Sequence, residues 1–165
     1  MKSRTISDVA LRSPVSVSPD LPIRDAEQLL IARHASELYV IDDQELLLGV
    51  VPDDEILKYR LIGGDGGARI SALMSPVTIA LAPDASLAEG ARLLREHVHA
   101  SLPVLENGRL IGQLCRLNLL RLLAELGPID SIGVSTADHQ LAVPPHYLSP
   151  VAISSNRVSL ARKAS

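Results

Sequence analysis

A chain that states one pattern twice is constrained to fold as two like units that close on each other. Here Ile6-Ser7, Ser13-Pro14-Val15-Ser16-Val17, Pro19-Asp20, Leu29-Leu30, Val40-Ile41 and Gly49 form the first statement. Ile70-Ser71, Ser75-Pro76-Val77-Thr78-Ile79, Pro83-Asp84, Leu93-Leu94, Val104-Leu105 and Gly112 form the second. Ile6, Pro19 and Val40 recur 64 residues later, and Gly49 recurs after 63. One copy of such a unit cannot bury its apolar face alone, so two copies pair, and function is expected in the grooves between them.

Composition narrows the function classes. The 165 residues support one compact domain, and 47% hydrophobic residues supply its core. A net charge of −3 of mixed sign argues against nucleic-acid or anionic-membrane partners. With no Trp or Phe and three dispersed tyrosines, there is no platform for stacking bases. A single cysteine, Cys115, points to a reducing compartment. No signal-like or membrane-spanning apolar run is read, so a cytoplasmic location is expected.

Within each copy the pattern reads as lead-in turn, strand, helix, strand, strand, helix. Val77-Thr78-Ile79 is β-branched and is expected to form a strand. Ser86-Leu87-Ala88-Glu89 has capping-box spacing and opens a helix whose Leu87, Ala91, Leu94 and Val98 share a face. Leu102–Leu105 and Leu110–Leu114 flank Asn107-Gly108, a hairpin signal, and a helix follows over Arg116–Leu126. The first copy places helices at Ile23–Arg33 and Asp53–Tyr59 and strands at Leu38–Ile41 and Leu46–Val51. We divide the chain into repeat one (1–62), a flexible glycine-rich linker (63–69), repeat two (70–126) and an extension (127–165).

The duplicated order, the Ser-Pro-Val-x-Val/Ile opening and the apolar strand leading to a glycine resemble the cystathionine-β-synthase (CBS) domain, in tandem as a Bateman module. The resemblance spans about residues 6 to 126. It implies an α/β fold of two pseudo-symmetric β-α-β-β-α repeats packed sheet to sheet. It further implies clefts for an adenosine-containing ligand, a homodimer, a regulated partner protein, and no catalysis. The family's cleft signature is Gly-x-x-Thr-x-x-Asp, whose threonine holds phosphate and whose aspartate bridges ribose hydroxyls. The matching segments run Gly49 to Glu55 and Gly112 to Asn118, with Pro52 and Cys115 in place of the threonine and Glu55 and Asn118 in place of the aspartate. Proline has neither hydroxyl nor amide hydrogen, and a thiol is a weak donor.

Carried over residue by residue, the resemblance assigns ligand contacts to Val15, Ser16 and Val17, and to Val77, Thr78 and Ile79, with Thr78 matched to Ser16. From the signature segments it assigns Glu55, Cys115, Arg116 and Asn118. Without it, an alternating strand residue such as Thr78 is simply solvent-facing. Asp53, Asp54 and Glu55 repel polyphosphate, so Arg116 makes the second-copy cleft the better anion site. No cofactor is expected beyond an adenine nucleotide or S-adenosylmethionine as regulatory ligand. The alternative is a ligand-free scaffold acting through dimerisation or partner binding, and a third reading is a small-anion or divalent-ion site near Arg116.

Other candidates are weaker. His97 and His99, two apart, do not share a helix face and lack further ligands for a zinc set. Leu119, Leu122, Leu123 and Leu126 form one apolar stripe on the last helix; Leu117, Leu120 and Ala124 form another, available to a second subunit. Ser149-Pro150-Val151-Ala152-Ile153 and Ser159-Leu160-Ala161 echo the opening of a third repeat, or recur by chance in a Val/Ser/Pro-rich chain.

Overall fold

The hairpin signal at Asn107-Gly108 is realised directly. Both residues take positive φ (51° and 79°) and join β4 (Ser101–Glu106) to β5 (Arg109–Cys115) in antiparallel register. The computed structural model describes residues 4–9, 11–96 and 100–126. In the first copy β1 (Ser16–Val17), β2 (Glu37–Ile41) and β3 (Leu47–Pro52) form a three-stranded sheet, with β1 parallel and β3 antiparallel to β2. The Asp42 carboxylate organises the β2–β3 turn by accepting the Gln44 and Leu46 amides at 2.8 and 2.9 Å.

Among the described residues four helices cover the sheets: α1 (Ile23–Arg33), α2 (Asp53–Leu61), α3 (Leu87–Glu96) and α4 (Arg116–Leu126). Ser86 caps α3 as its spacing predicts, its Oγ accepting the Glu89 amide at 3.1 Å. The two repeats meet sheet to sheet, where the Tyr39 hydroxyl lies 3.2 Å from Ser101 Oγ and the Leu47 amide donates to the Gly108 carbonyl at 3.0 Å.

The lead-in turns are exchanged. Ile6, from the first copy, is fully buried among Leu87, Leu94, Leu102, Val104, Leu114 and Leu122 of the second. Ile70, from the second copy, is fully buried in the first copy's core with Ile23, Leu38, Val40 and Val51. Backbone bonds from Ile6 to Ala85 (2.9 Å) and from Ile70 to Leu21 (2.8 Å) hold the two turns. The repeated glycine serves this exchange. A Cβ on Gly49 would lie 2.4 Å from Met74 Cγ, and one on Gly112 would lie 2.8 Å from Leu11 Cδ1. Leu11 and Met74 are themselves 63 residues apart, as the glycines are.

Two expectations are corrected. Val77-Thr78-Ile79 forms no strand; the second copy contributes only a parallel bridge, Leu81 to Val104. At the 64-residue spacing Leu81 is the counterpart of Val17, which pairs with Val40, and Ala80 rather than Thr78 is the counterpart of Ser16. Val77–Ile79 therefore correspond to Ser13–Val15, which precede β1 and are not strand either, and what Pro103 removes is the pairing of Ala80. In the first copy the Tyr39 amide donates to the Val15 carbonyl at 2.9 Å, whereas Pro103, the counterpart of Tyr39, has no amide hydrogen to offer Ile79.

The glycine run, expected to be flexible from its composition, is pinned. The Gly64 amide donates to the Tyr59 carbonyl and the Arg24 amide to the Gly66 carbonyl, both at 2.9 Å. Arg60 holds the Gly64 carbonyl at 2.9 Å, and a Cβ on Gly64 would lie 2.4 Å from the Tyr59 ring. His97, His99 and the third-repeat echo lie outside the described residues.

Candidate functional site

Two clefts flank the contact between the repeats, and they share Glu37 and Ser101. These residues are themselves 64 apart and are therefore counterparts in the two copies. The clefts have diverged in size. The first, walled by Tyr39, Val50, Pro76–Ile79 and Pro103, holds about 40 Å³, room for water and little else. The second holds about 430 Å³, within the range of small-molecule sites.

The walls of the second cleft come from both copies. Arg12 and Val15 arrive on the exchanged lead-in, which is fixed by reciprocal bonds between Arg12 and Gln113 (3.1 and 3.0 Å). Arg33 sits in the last turn of α1; Cys115 and Arg116 sit where β5 becomes α4. Three arginines and a single acidic residue, Glu37, thus line this cleft, and Arg12 and Arg33 are in no ion pair with any described residue. The amino-terminal end of α4 adds partial positive charge at the same wall. An anion is the chemistry this wall accommodates.

Glu37 is held from one side. A single oxygen, Oε1, accepts the Tyr39 hydroxyl at 2.7 Å and also the Ser101 hydroxyl. Tyr39 is 1% exposed. Burial first, and the Glu37 charge second, push its phenol far above the ordinary tyrosine value, so it stays protonated and donates.

The residues assigned from sequence separate into groups. Val15, Cys115 and Arg116 line the second cleft, and Val77, Thr78 and Ile79 line the first. Ser16 is exposed and Val17 is buried in the first copy's core, so neither borders a cleft. Glu55 lies on α2 and pairs with Lys58 at 2.8 Å, outside both clefts. Asn118 lines a neighbouring hollow of about 400 Å³ that shares Arg12, Cys115 and Leu117 with the second cleft. Its Oδ1 accepts the Cys115 amide at 2.9 Å and the Cys115 thiol at 2.8 Å, so this oxygen secures the helix start. Sequence reasoning missed Arg12, Arg33, Glu37, Tyr39 and Ser101. For Glu37 and Ser101 the 64-residue spacing was the available signal.

Among the described residues no group of three or more His, Cys, Asp or Glu side chains is placed to hold a metal ion. None of the described helices is long and apolar enough to cross a membrane.

Comparison with known proteins agrees with this geometry. The chloroplastic CBS domain-containing protein CBSX2 of Arabidopsis thaliana is 30% identical over 134 residues, which covers 64% of this chain and 56% of CBSX2. The CBS domain-containing protein YhcV of Bacillus subtilis is 27% identical over 109 residues, covering 66% of this chain and 77% of YhcV. The crystal structure of CBSX2 in complex with AMP superposes with a TM-score of 0.67 at 31% identity, over 76% of this chain and 100% of that one. The family model for the CBS domain matches twice, at residues 6–62 and 70–125. The chain therefore belongs to the CBS domain family and carries the domain as a tandem pair.

Proposed function

We propose that this chain is a regulatory module that binds one adenosine-containing ligand, in the second cleft, and acts through other proteins rather than by catalysis. The observation that carries the proposal is the asymmetry of the clefts: about 430 Å³ lined by three arginines against about 40 Å³ lined by none. The complex of CBSX2 with AMP supports the adenosine part. Occupancy regulates only if the ligand's affinity differs between two arrangements of the module. Calorimetry of the full chain with AMP, ADP, ATP, S-adenosylmethionine and NADH tests this reading. The expected result is saturable binding of at least one at one site per chain. Absence of heat and of thermal stabilisation with all five rejects it.

A ligand-free scaffold is the second reading, favoured by the replaced signature residues and by Asn118 Oδ1 serving the helix start. Both readings include self-association. Leu57 (58% exposed) and Leu120 (60% exposed) are counterparts 63 residues apart, on α2 and α4. Each leaves an apolar side chain uncovered in the single chain. We expect a homodimer by light scattering, converted to monomer by Leu57→Glu with Leu120→Glu. A wild-type monomer at micromolar concentration rejects this assembly.

A further inference from the structure

The second cleft contains a group that is wrong for a simple anion site. Glu37 puts a carboxylic acid side chain in a cleft also lined by Arg12, Arg33 and Arg116, yet neither Arg12 nor Arg33 is ion-paired with it. A like charge next to a bound anion weakens binding. Both hydrogen bonds that Glu37 accepts fall on Oε1, from Tyr39 and Ser101. Its second oxygen, Oε2, receives no hydrogen bond from any described residue, although a carboxylate has about four acceptor positions. The side chain is half-buried, and its partners Tyr39 and Ser101 are 1% and 7% exposed, so the carboxylate is held in one orientation before a ligand arrives.

We propose that Glu37 determines specificity in the second cleft: its free oxygen accepts a hydrogen bond from a hydroxyl or amino group of the guest. The ligand class is then an anion that carries a neutral donor, as a nucleotide does, and a bare anion such as a polyphosphate is disfavoured. The inference rests on the reading of the second cleft as the ligand site. The neighbouring first cleft also borders Glu37 but admits only water-sized guests.

The test exploits a difference in sign. Glu37→Gln removes a negative charge from a cleft lined by three arginines, so electrostatics alone would tighten every anion. Calorimetry of full-length wild type and Glu37→Gln is run with AMP and with inorganic tripolyphosphate, which has no donor group. The expected result is AMP binding weakened about tenfold or more, as for loss of a hydrogen bond to a charged acceptor, while tripolyphosphate binding tightens. AMP binding that tightens or stays unchanged overturns the role of Glu37 and leaves the ligand site standing. Wild-type protein that binds tripolyphosphate but none of the adenosine compounds overturns the adenosine reading and this inference with it. Ser101→Ala keeps the charge and removes one tether, guarding against a variant that fails to fold. It should weaken AMP a few-fold with no gain for tripolyphosphate, and unchanged AMP binding counts against the proposal.

Discussion

Truncating Ile6 to alanine is expected to destabilise the chain by about 3 kcal/mol and to lower its melting midpoint by about 10 °C. The residue opens a three-residue turn that belongs to no sheet or long helix. Here it is fully buried in the second copy's core, against Leu87, Leu114 and Leu122. The cavity it leaves therefore opens in a repeat that begins some 60 residues further along the chain. Hydrogen exchange should show the loss first in β4 and β5, with β2 and β3 following. If protection falls first in β2 and β3, the turns are not exchanged as described.

The second large effect is on binding. Arg116→Glu reverses a charge at the wall of the second cleft, at the first residue of α4. An acidic side chain suits a helix start by about 0.3–1 kcal/mol, which offsets the loss of the interactions Arg116 itself makes, so the melting midpoint should change little. Nucleotide affinity should nevertheless fall about a hundredfold, roughly 3 kcal/mol, from a lost charge-assisted bond and a new repulsion. Added salt should shrink the difference, because the residue is exposed and its field is screened. Loss of binding without loss of stability separates a ligand contact from a structural one. Affinity within threefold of wild type would remove Arg116 from the site.

Much of the fold was legible because it is written in short-range patterns. Asn107-Gly108 dictates its hairpin, Ser86 with Glu89 dictates a helix start, and the duplicated spacing dictates two like units. The failed strand at Val77–Ile79 shows where local pattern stops being sufficient. β-branched residues favour extended chain, but inter-strand register decides which residues pair, and pairing falls on Ser16–Val17 and Leu81, just after Ser13–Val15 and Val77–Ile79. The glycine run teaches the same lesson in reverse, since residues that permit flexibility also permit the close contact with Tyr59 that pins them.

The lining of the candidate cleft was legible in part. Cys115 and Arg116 were readable from the signature segment, since a strand running into a helix brings its own end to the groove. Arg12, Arg33 and Glu37 were not, because they belong to the other repeat and reach the cleft only through the exchanged lead-in and the meeting of the sheets. Duplication, helices and hairpins follow from the order of residues, since each is settled within a few positions along the chain. Which groove stays open, and which carboxylate oxygen is left unbonded inside it, depends on contacts between residues about 64 positions apart, such as Glu37 with Ser101. Those contacts exist only once the two halves have closed on each other.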